Sequence, residues 1–451
     1  MYDRYFQVLI FSWFAMALIY GQVEFTDSNL PIIVINSNGQ KIVDDPKVTC
    51  DMGIIWNGQG HRNFIDDDFN DYDGKIGIEI RGSTSQKYPK KSYGLETRDS
   101  CGNNLNISLL GLPEENDWVL YGIYSDKSLM RNAITYSLYG DMQPWSPKFV
   151  YCELVIDGEY MGLYMLIEKI KRDKHRLDIA EIEMDDISGD KLTGGYVIKI
   201  DKPTGSSSIS WSSKHQKKLE FLYHDPKREE LNEIQRNYIE NYIADFEKAV
   251  YSRNFQDPDS GYRAYINVGS FIDFMIMQEF AKTVDGYRSS SFMYKDRNKK
   301  LACGPVWDFN LSYGNADYCG GFNPEGWQYE FADVCGLFYS SQPPNWWKRL
   351  LEDPYFTNEL KCRWQYLRSD LLSIDHIYNM IDATGLQLAE AKDRNFKKWT
   401  VLDEYVNWNY FIGETYDEEI GYLKWWIQER VDFLDENLPG TCDDSWTYST
   451  D

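Results

Sequence analysis

Histidine is scarce in this sequence, with five in 451 residues, at positions 61, 175, 215, 224 and 376, and no pair is spaced H-x-x-x-H. A metal centre built on histidines is therefore disfavoured. The eight cysteines, Cys50, Cys101, Cys152, Cys303, Cys319, Cys335, Cys362 and Cys442, contain no C-x-x-C pair, which argues against a zinc site of the usual spacing. Positive charge is also short, with 47 Lys and Arg against 71 Asp and Glu, a formal net charge of -24 and a pI near 4.7. Nucleic acid is a poor partner for such a chain, because phosphate binding needs clustered cations that release counterions. Neither G-x-S-x-G nor a Walker P-loop occurs, which removes the commonest hydrolase and NTPase readings. Past the first twenty residues no run is apolar enough to span a bilayer.

What the chain does have is enough apolar residue, 43%, to fill a large core across two or three domains or one domain with insertions. Its start, Met1 to Gln7 with Asp3 beside Arg4 in place of a purely positive opening, followed by the apolar run Val8 to Tyr20 and then Gly21, reads as a secretory signal peptide over 1–21. An uncleaved anchor is the rival reading. Export makes a secreted or cell-surface location the expectation and permits disulfides, whose pairing the sequence leaves open.

From Pro31 to about Asp201 the pattern is mostly strand. Ile76, Ile78 and Ile80 alternate with Glu79 and Arg81, sending the isoleucines to one face and the charges to the other. Lys91 to Glu96 reads as the next strand, with Lys91, Tyr93 and Leu95 on one face. A helix is predicted to begin at Ser125 as N-cap and run to about Met142. Two strands, Phe149 to Ile156 and Tyr160 to Ile167, are joined at Asp157-Gly158, a strong hairpin signal, and Glu168 ends the second. Serine and glycine rise between Pro203 and Gln216, marking a loop or boundary. Helices follow over 233–250 and 270–282, and 346–438 is mainly helical and rich in tryptophan. Strands first and helices second is the α+β pattern. The divisions expected are 22–202, 203–345 and 346–451.

Two near misses fail on inspection. Gly58-Gln59-Gly60-His61-Arg62-Asn63 has Asn63 where the third glycine of G-x-G-x-x-G belongs. In the acidic run Asp66 to Gly74, aligning Gly74 with the glycine of a calcium loop places Phe69 first and Ile80 last, where acids are required. Both read as loops, and the tryptophans read as core rather than as a sugar platform.

The chemistry concentrates in Asp285-Gly286-Tyr287-Arg288-Ser289-Ser290 and Gly304-Pro305-Val306-Trp307-Asp308-Phe309-Asn310. Two short strands, Ser291 to Asp296 and Leu301 to Val306, separate Asp285 from Asp308, so a tight hairpin brings both carboxylates to one end. Such a pair suits phosphoryl transfer, one orienting an acceptor hydroxyl and the other holding a metal on nucleotide phosphates. It also suits glycoside hydrolysis between two carboxyl groups.

These motifs, with Ile78-Glu79-Ile80-Arg81-Gly82-Ser83-Thr84-Ser85, Tyr88-Pro89-Lys90-Lys91-Ser92-Tyr93, Asp117-Trp118-Val119-Leu120, Ser125 to Asn132 and Gly158 to Tyr164, resemble the CotH family of atypical, kinase-like proteins over roughly residues 30 to 440. The resemblance implies a two-lobed kinase-like fold with a strand-rich N-terminal lobe and a helix-rich C-terminal lobe. It further implies ATP with Mg²⁺ or Ca²⁺ and a protein Ser or Thr acceptor. Carried over, Asp285 matches the catalytic aspartate and Asp308 the metal aspartate, with Ser290 and Asn310 completing the metal shell. Lys91 and Arg81 are candidates for the phosphates and Glu168 for the adenine end. Ser290 and Asn310 stand where the family pattern has Asn and Asp, leaving fewer anionic ligands, so a non-catalytic surface, coat or adhesion protein is the alternative.

Overall fold

A computed structural model describes residues 23–203, 210–336, 339, 341–443 and 446–447. The leader expected over 1–21 and the serine-rich stretch 204–208 lie outside the described residues. The architecture is mixed α+β, with strands in the N-terminal part and helices in the C-terminal part.

Seven strands close into a barrel: Ile32–Asn36 (β1), Val48–Ile55 (β2), Tyr72–Arg81 (β3), Ser92–Arg98 (β4), Asp117–Gly122 (β5), Phe149–Ile156 (β6) and Glu159–Glu168 (β7). Their order is β6-β7-β5-β4-β3-β2-β1, and β1 returns to pair with β6 in parallel, Ile32 opposite Glu153. Closure leaves no open sheet edge. The alternation read from the sequence fills the interior: Ile76 and Ile78 of β3 and Leu95 of β4 share one buried cluster with Ile33, Leu120, Leu154 and Leu166. Asp157 and Gly158, at φ 51° and 79°, make the turn between β6 and β7, where Ile156 faces Glu159. That left-handed pair is what a two-residue hairpin demands.

Tyr196–Ile200 (β8), Ser210–Ser212 (β9), Glu220–Asp225 (β10), Ser291–Lys295 (β11) and Leu301–Cys303 (β12) form a second, antiparallel sheet ordered β9-β10-β8-β11-β12. Met293 pairs with Ile198 on one side and with Cys303 on the other. The start of β11 and the end of β12 therefore lie together.

The helices of ten or more residues are Arg131–Met142 (α1), Glu233–Val250 (α2), Val268–Ala281 (α3), Pro354–Arg368 (α4), Ile374–Gln387 (α5), Ala389–Lys398 (α6) and Tyr416–Asn437 (α7). The start of α1 corrects the sequence expectation. Leu129 sits at φ 65°, which a right-handed helix cannot hold. The Asp126 carboxylate, rather than the Ser125 hydroxyl, accepts from the Ser128 and Arg131 amides at 3.2 and 2.9 Å. α2 begins with a reciprocal Asn232–Gln235 capping box, and α3 ends at Lys282 in the left-handed region.

One continuous core joins α1, α2 and α3 to the later helices and takes in Trp346, Trp347, Trp364 and Trp426. Trp399 is buried as well, while Trp425 is half exposed. The acidic run before β3 is a turn whose carboxylates serve the backbone: Asp67 accepts from Phe64 N and Asp71 from Leu110 N. Disulfides join Cys319 to Cys335 and Cys362 to Cys442; Cys50, Cys152 and Cys303 are buried thiols. Among the described residues no helix is long and apolar enough to cross a membrane.

Candidate active site

The loop after α3 is built to fix Asp285. Gly286 N donates to Thr283 O at 2.8 Å, and Ser289 N donates to Asp285 O at 3.0 Å. A Cβ on Gly286 would fall 2.7 Å from Gln278 Oε1 and 2.9 Å from Thr283 O, so only glycine fits. Tyr287 and Ser290 both hold positive φ, 64° and 49°. Strain of about 1 to 3 kcal/mol at each such residue persists only where surrounding contacts over-determine it. For Tyr287 that contact is its hydroxyl, which donates to Glu279 Oε1 at 2.9 Å. Glu279 in turn pairs with the fully buried Arg430 of α7.

Arg288 then clamps the carboxylate. Its Nη2 donates to Asp285 Oδ1 at 2.7 Å and its Nε to Val284 O at 2.9 Å. The guanidinium is buried against the faces of Phe331 and Tyr339. One carboxylate oxygen of Asp285 is thus oriented by a charge-assisted bond, and the side chain keeps a quarter of its surface exposed.

Asp308 is held from α1. Its amide donates to the Tyr136 hydroxyl at 3.2 Å, and the Phe309 amide donates to Asn132 Oδ1 at 2.7 Å. Asn132 and Tyr136 are one helical turn apart and so share a face. Arg131, paired with Asp126, donates from Nε to Ser312 O at 3.0 Å. Asp308 itself sits at φ 67°. Asn310 donates from Nδ2 to Ser125 Oγ at 3.4 Å, and its carbonyl accepts from Asn315 at 2.7 Å.

The charges meet around Asp308. It remains open to solvent, yet the protein packed around it and the carboxylates of Asp285 and Asp201 push its carboxyl up to about 6, against the pull of Arg81 and Lys202. Arg81, the last residue of β3, lies with its guanidinium 5.6 Å from the centre of the Trp307 ring, and that ring stacks on Tyr136. Burial lowers the Arg81 guanidinium from its ordinary value, an effect Asp308 opposes. Asp285, Asp308 and Arg81 are thereby brought together where the barrel meets the helical part.

Sequence reasoning missed Asp201 and its neighbours. Asp201 follows β8 directly and pairs with Lys199 at 2.9 Å, while Lys199 lies 5.9 Å from the Phe292 ring centre. The signal available was a charged Lys199-x-Asp201-Lys202 at the end of an alternating strand. Lys169, just past β7, pairs with Asp117 at 3.3 Å and feels Arg81.

The two remaining candidates, Lys91 and Glu168, have their own partners. The Lys91 ammonium donates to Gln86 O and Tyr88 O at 2.6 and 2.7 Å, closing the turn that follows Arg81. Two of its three donors thus go to the backbone and brace that turn. Glu168 is fully buried at the end of β7, with Oε2 accepting from Trp145 Nε1 at 3.2 Å and Lys148 N at 3.1 Å. Its other oxygen has no partner, and burial raises its carboxyl above the usual range.

As chemistry, the arrangement offers a clamped acceptor at Asp285, a solvent-open carboxylate at Asp308 and a set of cations beside them. Among the described residues no three carboxylate, thiolate or imidazole groups gather closely enough to form a ready-made metal cluster. A search of curated proteins found no match. The family model described as CotH kinase protein matches residues 78–434, more than three quarters of the sequence, and the chain belongs to that family.

Proposed function

We propose that the protein is an exported atypical kinase that transfers the terminal phosphoryl group of ATP to a Ser or Thr hydroxyl of a protein acceptor, with Mg²⁺ or Ca²⁺. The observation that carries this reading is the convergence of Asp285 and Asp308 beside Arg81, with both aspartates on segments that hold positive-φ residues, Tyr287 and Ser290 after the first and Asp308 itself. The donor chemistry fits a hard divalent cation. The crowding that raises the Asp308 carboxyl is relieved by positive charge, and Asn310 and Ser290 add neutral oxygens. Asp308 would hold the cation with help from Asn310, Ser290 and Asp201, and the cation would offset charge on the phosphate oxygens.

In this scheme Asp285 accepts a hydrogen bond from the acceptor hydroxyl and takes its proton as the new O–P bond forms. The bond from the γ-phosphorus to the bridging oxygen breaks, and ADP leaves. Arg288 keeps Asp285 aimed throughout, and Arg81 and Lys202 supply positive charge. The two disulfides suit an exported protein.

With labelled ATP and a divalent cation, the purified protein should label itself or an acceptor. Asp285→Asn and Asp308→Asn should each abolish the label, and label that survives both changes sinks the assignment. A second reading, a non-catalytic surface or coat component, is favoured by the neutral Ser290 and Asn310 and by the commitment of Lys91. Calorimetry separates the two, since tight binding of nucleotide with turnover excludes the second.

A further inference from the structure

A large cavity lies apart from the Asp285–Asp308 site. It encloses about 1410 Å³ and is lined by the last turns of α1, the segment leading into β6, residues 174–179, the start of α3 and the β11–β12 hairpin. None of Asp285, Asp308, Arg81 and Asp201 lines it, although Tyr136, whose hydroxyl accepts from Asp308 N, does.

Its charge runs against the composition of the chain. Lys148, Lys174, Arg176, Arg263, Lys299 and Lys300 line the cavity, against the carboxylates of Asp141, Asp178 and Asp296. Asp296 is already engaged, its Oδ1 accepting from the Ala180 and Arg297 amides. Arg176 is likewise paired, with Glu115 at 3.3 Å. Among the described residues no ion pair engages Lys148, Lys174, Lys299 or Lys300. In a protein of net charge -24, four unpaired lysines from three separate segments facing one cavity form a local field of the opposite sign. Ser146, 5% exposed, also lines the cavity, and its hydroxyl has no hydrogen-bond partner. An unsatisfied buried hydroxyl is costly unless something else meets it.

We propose that this cavity binds an acidic peptide segment, through carboxylate or phosphate groups on its side chains. The volume exceeds the ~300 to 1,000 Å³ usual for a small-molecule site. The lysines are distributed over separate walls, which suits a chain with several anionic groups better than one compact ion. The rings of Trp145, Tyr294 and Tyr355 offer apolar faces for the intervening residues. Duplex nucleic acid, with its dense charge, would be repelled by the acidic remainder of the surface.

The experiment is fluorescence anisotropy on the full chain without nucleotide, so that the outcome does not depend on phosphoryl transfer. The probes are a labelled Glu- and Asp-rich peptide, its phosphoserine counterpart, and a Gln- and Asn-rich peptide of the same length. The acidic peptides should bind saturably and more weakly as salt rises, and the neutral one should not bind. Lys299→Glu with Lys300→Glu, and separately Lys174→Glu, should each weaken binding about tenfold or more while leaving the thermal midpoint in place. The ratio of the two acidic peptides tells carboxylate from phosphate recognition. Equal binding of the neutral peptide, indifference to charge reversal, no saturable binding, or preference for anionic vesicles or DNA over both acidic peptides would overturn the proposal.

Discussion

Arg430→Met tests whether the Asp285 loop is anchored as described. Arg430 has no exposed surface. It donates from Nε to Glu279 O at 2.7 Å, from Nη1 to Pro324 O and Gly326 O at 2.7 and 2.6 Å, and from Nη2 to Glu279 Oε2 at 3.1 Å. Methionine fills similar volume but makes none of these bonds. Glu279 would keep three neutral donors, Gln328 N, Tyr329 N and the Tyr287 hydroxyl, and would lose its counter-charge. Breaking a buried pair from one side costs about 3 to 5 kcal/mol. An unfolding entropy of about 2.1 cal/mol/K per residue gives about 0.9 kcal/mol/K for a chain of this length. The expected loss is therefore about 4 °C in the thermal midpoint, a small shift that calorimetry resolves.

The pH dependence supplies a stricter check. Burial already raises the Glu279 carboxyl above its usual range, and Arg430 opposes that rise. Without Arg430 it rises further, and a carboxyl raised in the folded state favours folding below its unfolded value and loses that contribution as pH climbs through the folded value. The variant's deficit should be full at pH 8 and shrink toward pH 5. Exchange of the amides in Gly286 to Ser290 should also quicken, because Tyr287 is held by the same carboxylate. A double variant, Arg430→Met with Glu279→Gln, should fall short of the sum of the two single losses. A midpoint within 1 °C of the parent at every pH, or a double loss equal to the sum, would refute the argument.

Three further outcomes follow from the site. Carboxyl ¹³C NMR should find Asp308 titrating near 6, lower after Asp285→Asn removes a like charge and higher after Arg81→Met removes a cation; no change in either would mean the groups are not neighbours. Lys91→Met should lower stability by about 1.5 to 3 kcal/mol through the lost charged hydrogen bonds, measured by denaturant unfolding, while calorimetry shows nucleotide affinity affected less than by Arg81→Met. Because the Cys319–Cys335 disulfide, of sequence separation 16, encloses the Phe331 that stacks on Arg288, Cys319→Ser with Cys335→Ser should cost about 3 kcal/mol and lower any Asp285-dependent labelling. Labelling unchanged by that pair and by Arg288→Met would remove Arg288 from its positioning role.

How much of this was legible in the sequence depended on how local the cause is. The Asp157-Gly158 turn and the span of α2 were readable to the residue, because the turn residues fix their own surroundings and the helical period is unbroken over 233–250, while β7 extends one residue beyond the expected 160–167 at each end. The convergence of Asp285 and Asp308 was readable too, since β11 and β12 are adjacent in sequence and must pair. Barrel closure was not, because the parallel pairing of β1 with β6 joins segments with no local signal for each other. Asp201 was missed for the same reason: it reaches Asp308 only because β8 inserts between β10 and β11, an order set by tertiary packing.

The adjacent lysines 90 and 91 show the limit most sharply. Alternation places Lys91 on the face of Tyr93 and Leu95, but the strand begins at Ser92, so the period does not reach it. Lys90 goes inward instead, its ammonium donating to Ile123 O at 3.1 Å, Leu163 O at 2.5 Å and Asn395 Oδ1 at 2.7 Å, and burial draws it down to about 7. A lysine survives 1% exposed only because three acceptors replace its water, and one of them belongs to α6, 305 positions away. Nothing in Tyr88-Pro89-Lys90-Lys91 distinguishes the lysine that braces a surface turn from the one that ties the barrel to a distant helix. That choice is made by acceptors the local sequence does not contain.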